Sequence, residues 1–212
     1  MPNRINNKVV LIGYSGHALV TAEALVLSGY QIIGYLEKER IENNRLNIAY
    51  LGFEKDSEVL KKIKGNFVFP AIGNNRIRQK VLGYFEAYGF EFINAIHAKS
   101  YISDSASIGP GIFVACGAII NPFATIGKGV IINTGAIVEH ECIINDFSHI
   151  APGAVLAGNV TIGNGSFIGA NSVIKQGICI GDNVVIGAGA VITKDILDEG
   201  VYVGNPAKKL AN

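Results

Sequence analysis

The sequence predicts two successive folds in one chain: an α/β unit with a small parallel sheet, then an all-β unit built as a parallel helix of short strands. Three observations carry this prediction. The chain has 212 residues, with 22 charged side chains up to residue 100 and only seven between residues 101 and 192. Apolar runs alternate with helical patterns in the first part, whereas the second part repeats every six residues. We therefore expect domains at residues 1–97 and 98–212.

The N-terminal part alternates strand and helix. Helical patterns reach from residue 18 to Leu27 and over Asn74–Ala87. The apolar runs that predict strands are Lys8–Ile12, Gln31–Leu36, Phe67–Ile72 and Phe90–Ile93. This alternation is typical of a small parallel sheet of Rossmann type.

The second part carries an unbroken register of large aliphatic residues. Every sixth residue from Ile96 to Ile192, 17 in all, is Ile, Val or Leu. A period of six gives one flat side per repeat and three sides per coil, so the aliphatic side chains stack inside a triangular prism. Glycines recur directly after these positions, and we expect them to supply the positive φ of tight corners. They are Gly109, Gly127, Gly163, Gly169, Gly181 and Gly187.

The residue before each inward aliphatic points outward, and two of the three sides are apolar there. One side carries Ile119, Ile137, Val155, Val173 and Val191. Another carries Phe113, Ile131, His149, Phe167 and Val185. The third side, mostly polar, carries Ser107, Thr125, Ile143, Thr161 and Cys179. Two exposed apolar stripes are unfavourable in a monomer, so we expect a homotrimer closed in a ring, unless the N-terminal domain or the C-terminal tail covers the stripes.

Composition and charge exclude several classes of protein. Lys plus Arg number 18 and Asp plus Glu 17, whereas nucleic-acid-binding domains are usually basic. No apolar stretch reaches about 18 residues, so no membrane span is expected, and the first residues lack the apolar segment of a signal peptide. The three cysteines, Cys116, Cys142 and Cys179, have no CxxC spacing, which indicates a reducing, cytoplasmic setting without structural zinc.

The strongest candidate for catalysis is His140, which lies between Glu139 and Glu141 at a corner of the predicted prism. A neutral imidazole is the usual general base near pH 7, and a neighbouring carboxylate orients it. Either glutamate qualifies as that neighbour, and a solvated surface histidine is the alternative. His149 points outward in mid-strand, where it either donates a hydrogen bond to an acyl donor or to the tetrahedral oxygen, or is a hydrogen-bonded residue of an interface. No third histidine lies nearby to complete a metal site, and Cys142 points inward.

A second set of candidates follows the strands of the N-terminal sheet. Gly13–His17 reads GYSGH directly after the first strand, Glu37 ends the second, and Gly73–Asn75 follows the third. The carboxyl ends of parallel strands share one edge, where small residues at a helix start admit a phosphate and an acid binds a ribose. Together they predict a nucleotide-sized crevice, although GYSGH is not the dinucleotide fingerprint.

Five motifs occur in one order along the whole chain. They are GYSGHALV at 13–20, AIGNN at 71–75, NAIH at 94–97, INTGAIVEHEC at 132–142 and VYVGNPAKKL at 201–210. In this combination the chain resembles the sialic-acid O-acetyltransferase-like family of hexapeptide-repeat acyltransferases. It is similar to the bacterial N-acetyltransferases of UDP-4-amino sugars and of perosamine. The resemblance implies that the prism is a left-handed β-helix.

The resemblance also implies roles for individual residues. His140 is the general base and Glu141 its partner. The residues that contact acetyl-CoA are His149, Ala170 and Ala188. The residues that hold the nucleotide sugar are Ser15, Gly16, His17, Glu37, Lys38 and Gly73. The chain departs from related UDP-sugar enzymes at Glu37–Lys38, where they often carry two acids, and at Ala188, where relatives often have glycine.

We therefore expect a cytoplasmic, homotrimeric N-acetyltransferase that uses acetyl-CoA and no metal. Its substrate is a nucleotide-linked amino-deoxysugar, with a UDP-sugar favoured, for bacterial surface glycan or glycoprotein biosynthesis. O-acetylation of sialic acid or another sugar is the first alternative. A non-catalytic solenoid scaffold, or a metal-dependent trimer of the carbonic-anhydrase kind, is the second.

Overall fold

The computed structural model describes residues 7–210, and the chain divides into two compact units between Ala98 and Lys99. The first unit contains β1 (Lys8–Ile12), α1 (Gly16–Leu27), β2 (Gln31–Leu36), β3 (Tyr50–Gly52), α2 (Ser57–Ile63), β4 (Phe67–Pro70), α3 (Asn75–Ala87) and β5 (Ala95–Ile96). Four of these strands form a parallel sheet in the order β3-β2-β1-β4. The direction of strand addition reverses between β1 and β4, and such a reversal opens a crevice at the carboxyl ends of a parallel sheet.

The first unit differs from the sequence-based expectation in three elements. The predicted strand Phe90–Ile93 is wrong, since only an isolated bridge joins Phe92 to Val68. The segment is apolar because Phe90 and Ile93 are buried, and not because it pairs as a strand. The edge strand β3 and the short helix α2 were missed, because three and seven residues are too short for a periodic signal.

The second unit consists of short strands spaced six residues apart. They are β6 (Tyr101–Ile102), β7 (Ser107–Ile108), β8 (Phe113–Val114), β9 (Ile119–Ile120), β10 (Thr125–Ile126), β11 (Ile131–Ile132), β12 (Ile137–Val138), β13 (Ile143–Ile144), β14 (His149–Ile150), β15 (Val155–Leu156), β16 (Thr161–Ile162), β17 (Phe167–Ile168), β18 (Val173–Ile174), β19 (Cys179–Ile180), β20 (Val184–Ile186), β21 (Val191–Ile192), β22 (Gly200–Gly204) and β23 (Ala207–Lys209). From β6 to β21 the strands pair in parallel with those 18 residues away, as Ile137 does with Ile119 and Val155, whereas β22 pairs in parallel with β20 and antiparallel with β23.

This pairing produces three faces, as the six-residue register predicts. The first face contains β6, β9, β12, β15, β18 and β21. The second face contains β7, β10, β13, β16 and β19, and the third contains β8, β11, β14, β17, β20 and β22. The sixth-position side chains fill the interior, where Val138, Leu156 and Ile174 are fully buried. The predicted register and inward stack are confirmed.

The recurrent glycines have a different function from the one expected. Positive φ occurs two residues later in the corner, at residues such as Gly111, Gly129 and Asn171. Gly109 instead allows the next coil to approach, because a Cβ there would lie 2.9 Å from the backbone nitrogen of Lys128. Close backbone contact between coils, and not corner geometry, therefore explains glycine directly after the inward aliphatic.

Outward apolar residues are half-buried or exposed on the first face, whereas those at the beginning of the third face are buried. Val173 on the first face is 41% exposed. On the third face Phe113 and Ile131 are each only 1% exposed in the single chain, and His149 is buried as well. At the beginning of the third face the outward side chains are therefore already covered within the single chain.

Candidate active site

The first unit has a cleft at the carboxyl ends of β1, β2 and β4. Its volume is about 220 Å³, and Gly13, Ser15, Glu37 and Glu54 are among its lining residues. Gly13 has a φ of 90°, and a Cβ there would lie 2.8 Å from Cγ1 of Ile72, so this turn requires glycine. Ser15 precedes α1 in an extended conformation, and its hydroxyl makes no capping hydrogen bond. The sequence-predicted residues Ser15 and Glu37 thus share one cleft, at the start of a helix.

The Glu37 carboxylate joins two of the loops that form this cleft. Oε2 accepts a hydrogen bond from the backbone N–H of Tyr14 at 3.1 Å, and Oε1 accepts one from the backbone N–H of Lys38 at 3.0 Å. Each oxygen retains a second lone pair that a ribose hydroxyl can use. Lys38 itself is exposed and does not line the cleft, whereas Glu54, a second acid that sequence reasoning missed, does.

A fully buried arginine supports the loop after β4. Nη1 of Arg78 donates to the carbonyl oxygens of Ile72 and Gly73, both at 3.1 Å, and Nη2 donates to Oδ1 of Asn75 at 2.9 Å. Burial lowers the pKa of Arg78 to about 9, so the guanidinium stays charged at pH 7. This residue was missed because in the sequence it is one of several polar residues on an amphipathic helix.

His17 lies beside the same loop, since a Cβ built on Gly73 would lie 3.8 Å from the Cβ of His17. Burial, and secondarily the positive charge of Arg78, lower the pKa of His17 to about 4 from its ordinary value of 6.5. His17 is therefore neutral at pH 7, and it can donate or accept a hydrogen bond without carrying charge.

The depressed pKa of His17 predicts a pH-dependent stability. Between pH 6.5 and 4 the unfolded chain binds a proton that the folded chain does not, so the free energy of unfolding falls as the pH drops through this window. The loss approaches about 3 kcal/mol at the low end, at 1.36 kcal/mol per pKa unit. We expect His17→Gln to flatten this dependence in chemical unfolding at pH 7 and pH 4.5. Equal losses for the two proteins would contradict the assignment.

In the second unit His140 and Glu141 form a contact at the corner between β12 and β13. The Nδ1 of His140 lies 3.1 Å from Oε2 of Glu141, and the two side chains are 51% and 63% exposed. Glu141 thus contacts the ring, which favours it over Glu139 as the partner that the sequence left open. With the carboxylate accepting from Nδ1–H, Nε2 remains as the basic nitrogen. Glu141 has a φ of 59°, a left-handed conformation that is costly for a residue with a side chain.

His149 is held by the third face. The amide Nδ2 of Asn133 lies 3.1 Å from Nε2 of His149, a contact in which the amide donates to the ring when the ring proton is on Nδ1. The ring also meets Phe167 edge to face, with 4.9 Å between centroids. Asn133 is a further residue that sequence reasoning missed. The contacts with Asn133 and Phe167 therefore fix the orientation of the His149 ring.

Two of the predicted acetyl-CoA residues, Ala170 and Ala188, lie on a different corner column of the prism from His140. We call residues 122, 140, 158, 176 and 194, between the first and second faces, the His140 edge. Residues 134, 152, 170 and 188, between the third and first faces, are the Ala170 edge, where N–H of Gly189 donates to the carbonyl of Ala170 at 2.8 Å. The first face separates the two edges by up to about 20 Å, since six residues rise about 3.3 Å each. One chain therefore brings Ala170 and Ala188 together but does not bring them to His140.

A basic pocket of about 350 Å³ lies near the end of the β-helix. Lys194, Lys208 and Lys209 line it together with one acid, Asp195, and with Tyr202, over whose ring the Lys209 ammonium lies at 5.8 Å. Lys194 is on the His140 edge, three coils after His140. These lysines were not singled out from the sequence, because residues 194–209 also contain three acids, Asp195, Asp198 and Glu199, and so have no basic excess.

Cys142 is a structural residue, as expected. Its Sγ donates to the carbonyl of Ala157 at 3.2 Å, and burial raises the pKa of the thiol. Within residues 7–210, no three His, Cys, Asp or Glu side chains converge in a way that could hold a metal ion. In the same part of the chain, no helix combines the length and apolar character that crossing a bilayer requires.

Family models match both units. Residues 8–85 match the PglD N-terminal domain. Residues 123–158 match the bacterial transferase hexapeptide family of six repeats, and residues 159–194 match the hexapeptide repeat of succinyl-transferase. The prism is therefore a hexapeptide-repeat helix, which matches the fold that the resemblance implied.

Solved structures match nearly the whole chain. A histidine-to-asparagine variant of perosamine N-acetyltransferase from Caulobacter crescentus, in complex with CoA and GDP-perosamine, is 34% identical with a TM-score of 0.91 and 97% of each chain covered. This chain belongs to the same family of nucleotide-amino-sugar N-acetyltransferases. The acetyltransferase domain of PglB from Neisseria gonorrhoeae FA1090, in complex with acetyl coenzyme A, is 37% identical over 97% of this chain and 100% of that one, with a TM-score of 0.90.

As a nucleotide-amino-sugar N-acetyltransferase, the chain is an acyltransferase with a left-handed β-helix, and the sequence-based expectations of family, fold class and enzyme class are confirmed. WeeI from Acinetobacter baumannii AYE is a more distant match, at 27% identity over 95% of this chain and 99% of that one, with a TM-score of 0.75. The roles of individual site residues remain predictions, which the contacts described above make specific.

Proposed function

We propose that this protein transfers the acetyl group of acetyl-CoA to the amino group of a nucleotide-linked amino sugar. The observation that carries the proposal is the His140–Glu141 contact at an exposed corner of the hexapeptide helix. It is supported by relatives of 34% and 37% identity whose structures contain CoA with GDP-perosamine, and acetyl coenzyme A. A general base beside an acyl donor is what acetylation of an amine requires.

In this reaction the sugar nitrogen attacks the thioester carbonyl carbon, a C–N bond forms, and the C–S bond breaks. His140 accepts the proton of the amine at Nε2 and passes it to the departing sulfur of CoA. Glu141 keeps the Nδ1 proton in place and stabilises the imidazolium that forms transiently. The exposure of both side chains leaves the ring accessible to two substrates.

The cleft of the first unit is our candidate for the nucleotide. The start of α1 presents backbone N–H groups near Ser15 and Gly16, which suit a phosphate. Gly73 is held by the buried Arg78, and neutral His17 stands beside it. Glu37 provides the acceptor for a ribose hydroxyl. Lys38, exposed and outside the cleft, is a weaker candidate than its neighbours.

Glu37→Ala is expected to weaken binding of the sugar nucleotide. A hydrogen bond to a charged group contributes roughly 1.5–3 kcal/mol, which corresponds to a rise of about tenfold or more in the KM for the nucleotide sugar. The KM for acetyl-CoA should barely change. Glu39→Ala, which removes an exposed acid two residues away, is the matched control. A selective rise in the KM for acetyl-CoA would mean that the first unit binds the acyl donor instead.

We further propose a homotrimer whose sites each combine two chains. His140 and the predicted acetyl-CoA residues Ala170 and Ala188 lie on opposite edges of the first face. A neighbouring chain that packs on this face can bring its Ala170 edge to the His140 edge. The partly exposed Val173 and its outward neighbours supply an apolar surface for such packing.

All three cysteines are unpaired, which supports a reducing, cytoplasmic setting.

The acyl donor has candidate contacts at both edges of the site. His149 and the corner at Ala170 and Ala188 are the predicted contacts of acetyl-CoA. The basic pocket at Lys194, Lys208 and Lys209 is suited by charge to the phosphates of CoA. Lys194 lies on the His140 edge, three coils or about 14 Å from His140 at a strand spacing of about 4.8 Å.

The function is tested by incubating the protein with acetyl-CoA and a panel of UDP- and GDP-linked amino sugars, with CoA thiol release as the readout. Both nucleotides belong in the panel, because the resemblance favours UDP and one relative was solved with GDP-perosamine. We expect release with at least one amino sugar and an N-acetyl signal in the NMR spectrum of the product. Release with sialic acid alone, or with the hydroxyl analogue in place of the amine, would overturn N-acetylation in favour of O-acetylation.

A further inference from the structure

The His140 edge is a column of corner residues in strict backbone register. N–H of Glu141 donates to the carbonyl of Pro122 at 3.0 Å, and N–H of Asn159 donates to the carbonyl of His140 at 2.8 Å. One coil further, N–H of Gly177 donates to the carbonyl of Gly158 at 3.0 Å. His140 and Gly158 are therefore stacked in adjacent coils, about 4.8 Å apart along the axis.

Gly158 lies directly against the imidazole of His140. A Cβ built on Gly158 would be 2.6 Å from Nε2 and 3.1 Å from Nδ1 of that ring, with Cε1 closer still. All three nearest atoms belong to the ring, whereas at Gly109 and Gly163 the obstruction includes the backbone of the next coil. Gly158 is also buried, although Pro122, His140 and Gln176 of the same column are exposed. The ring thus covers this glycine.

The backbone at position 158 does not itself require glycine. The left-handed conformation of this corner falls on the following residue of each coil, at Glu141, Asn159 and Gly177. Gly158 is not among the residues with positive φ. Gln176 occupies the equivalent position one coil later, so the column accepts a side chain there. The absence of a side chain at position 158 therefore leaves room for the His140 ring.

We propose that Gly158 is a positioning residue, which provides the surface on which the His140 imidazole rests with Nδ1 toward Glu141. The role rests on the proposed function, in which Nε2 of His140 takes the proton. A methyl group at 158 forces the ring outward, away from the Glu141 carboxylate. The ring is half-exposed and free to swing, so the fold survives while the base is misplaced.

A displaced base predicts a specific kinetic change. A shift of about 1 Å in a catalytic group can cost about 10²-fold in rate. We expect Gly158→Ala to lower kcat by about 10- to 100-fold, with both KM values within about twofold of wild type. Gly83→Ala, the same change at an exposed glycine of α3 where an added Cβ meets nothing within 4 Å, is the matched control and should leave kcat and the fold unchanged. In a His140→Ala background, Gly158→Ala should lower kcat no further.

A second measurement needs no substrate. With histidine labelled at 13Cε1, the chain has four signals, and His140→Ala assigns the one from His140. We expect Gly158→Ala to move that signal and to leave those of His17, His97 and His149 in place. This NMR measurement reports on the His140 ring directly, so it tests the role of Gly158 even when no nucleotide sugar in the panel is acetylated. Failure to acetylate any nucleotide sugar would instead reject the proposed function.

Several outcomes would overturn the proposal. They are an unmoved His140 signal in Gly158→Ala, a moved signal with more than half of the wild-type kcat, and an equal loss of kcat in the His140→Ala background. If Gly158→Ala alone does not fold, the double variant His140→Ala/Gly158→Ala decides. A folded double variant supports a collision with the ring, and an unfolded one overturns the proposal.

Discussion

Replacing His140 with alanine is expected to lower kcat by about two to four orders of magnitude, the usual contribution of a general base. The ring is in position to act through Nε2, since Nδ1 contacts the Glu141 carboxylate at 3.1 Å. The side chain is half-exposed at a corner, so its removal leaves the core and the coil register intact. Steady-state kinetics with the preferred nucleotide sugar, beside size-exclusion chromatography, measures both effects.

The two flanking glutamates provide a matched pair of controls for this result. Glu141→Gln keeps the shape but loses the charge that stabilises the imidazolium, so kcat should fall. Glu139→Gln removes the charge of the glutamate that does not make this contact, so kcat should change little. Retention of more than half of the wild-type kcat by His140→Ala, or equal effects of the two glutamine variants, would reject the base assignment.

Val173→Lys is expected to convert the homotrimer to a monomer. Val173 is outward on the first face and 41% exposed in the single chain, so lysine is tolerated there without a partner. In the proposed trimer the same lysine is buried and unpaired, which costs enough to compete with the whole interface. Light scattering should give one third of the wild-type mass, with the far-ultraviolet circular dichroism unchanged.

Thr161→Lys is the control for the assembly, because it places the same charge on the polar second face. It should keep the mass of the trimer. Dissociation of Thr161→Lys together with an intact Val173→Lys trimer would show that the faces are assigned in the wrong order. Because the proposed site combines the His140 edge of one chain with the Ala170 edge of another, Val173→Lys should also lose most acetyl transfer.

Much of the second unit was predictable, because its signal is periodic and local. The inward aliphatics recur every six residues from Ile96 to Ile192, so each face and corner follows from counting. The same count placed His140 at a corner and Cys142 inside, as the structure has them. The six-residue count could not predict that Phe113 and Ile131 are buried, because their burial depends on what else in the chain covers the third face.

The first unit was less predictable, because short elements leave little periodic signal. The strands β1 and β2 were found with their bounds, but β3 and α2 were missed. Within the candidate cleft, Ser15 and Glu37 were anticipated from their places after strands. Arg78 was not anticipated, because its guanidinium donates to backbone carbonyl groups of a loop. Every residue has such a carbonyl group, so the sequence of the loop does not indicate the contact.

The sequence by itself determined the family, the two-part fold, the register of the β-helix and the corner that carries His140. Each of these depends on residue spacing or on motifs along the chain. Only the tertiary structure decided that Glu141 contacts the ring, that Gly158 lies beneath it, and that the Ala170 edge is a full face away. The physical reason is that these contacts depend on side-chain rotamers and on the stacking of coils 18 residues apart. The spacing of residues along one coil encodes neither.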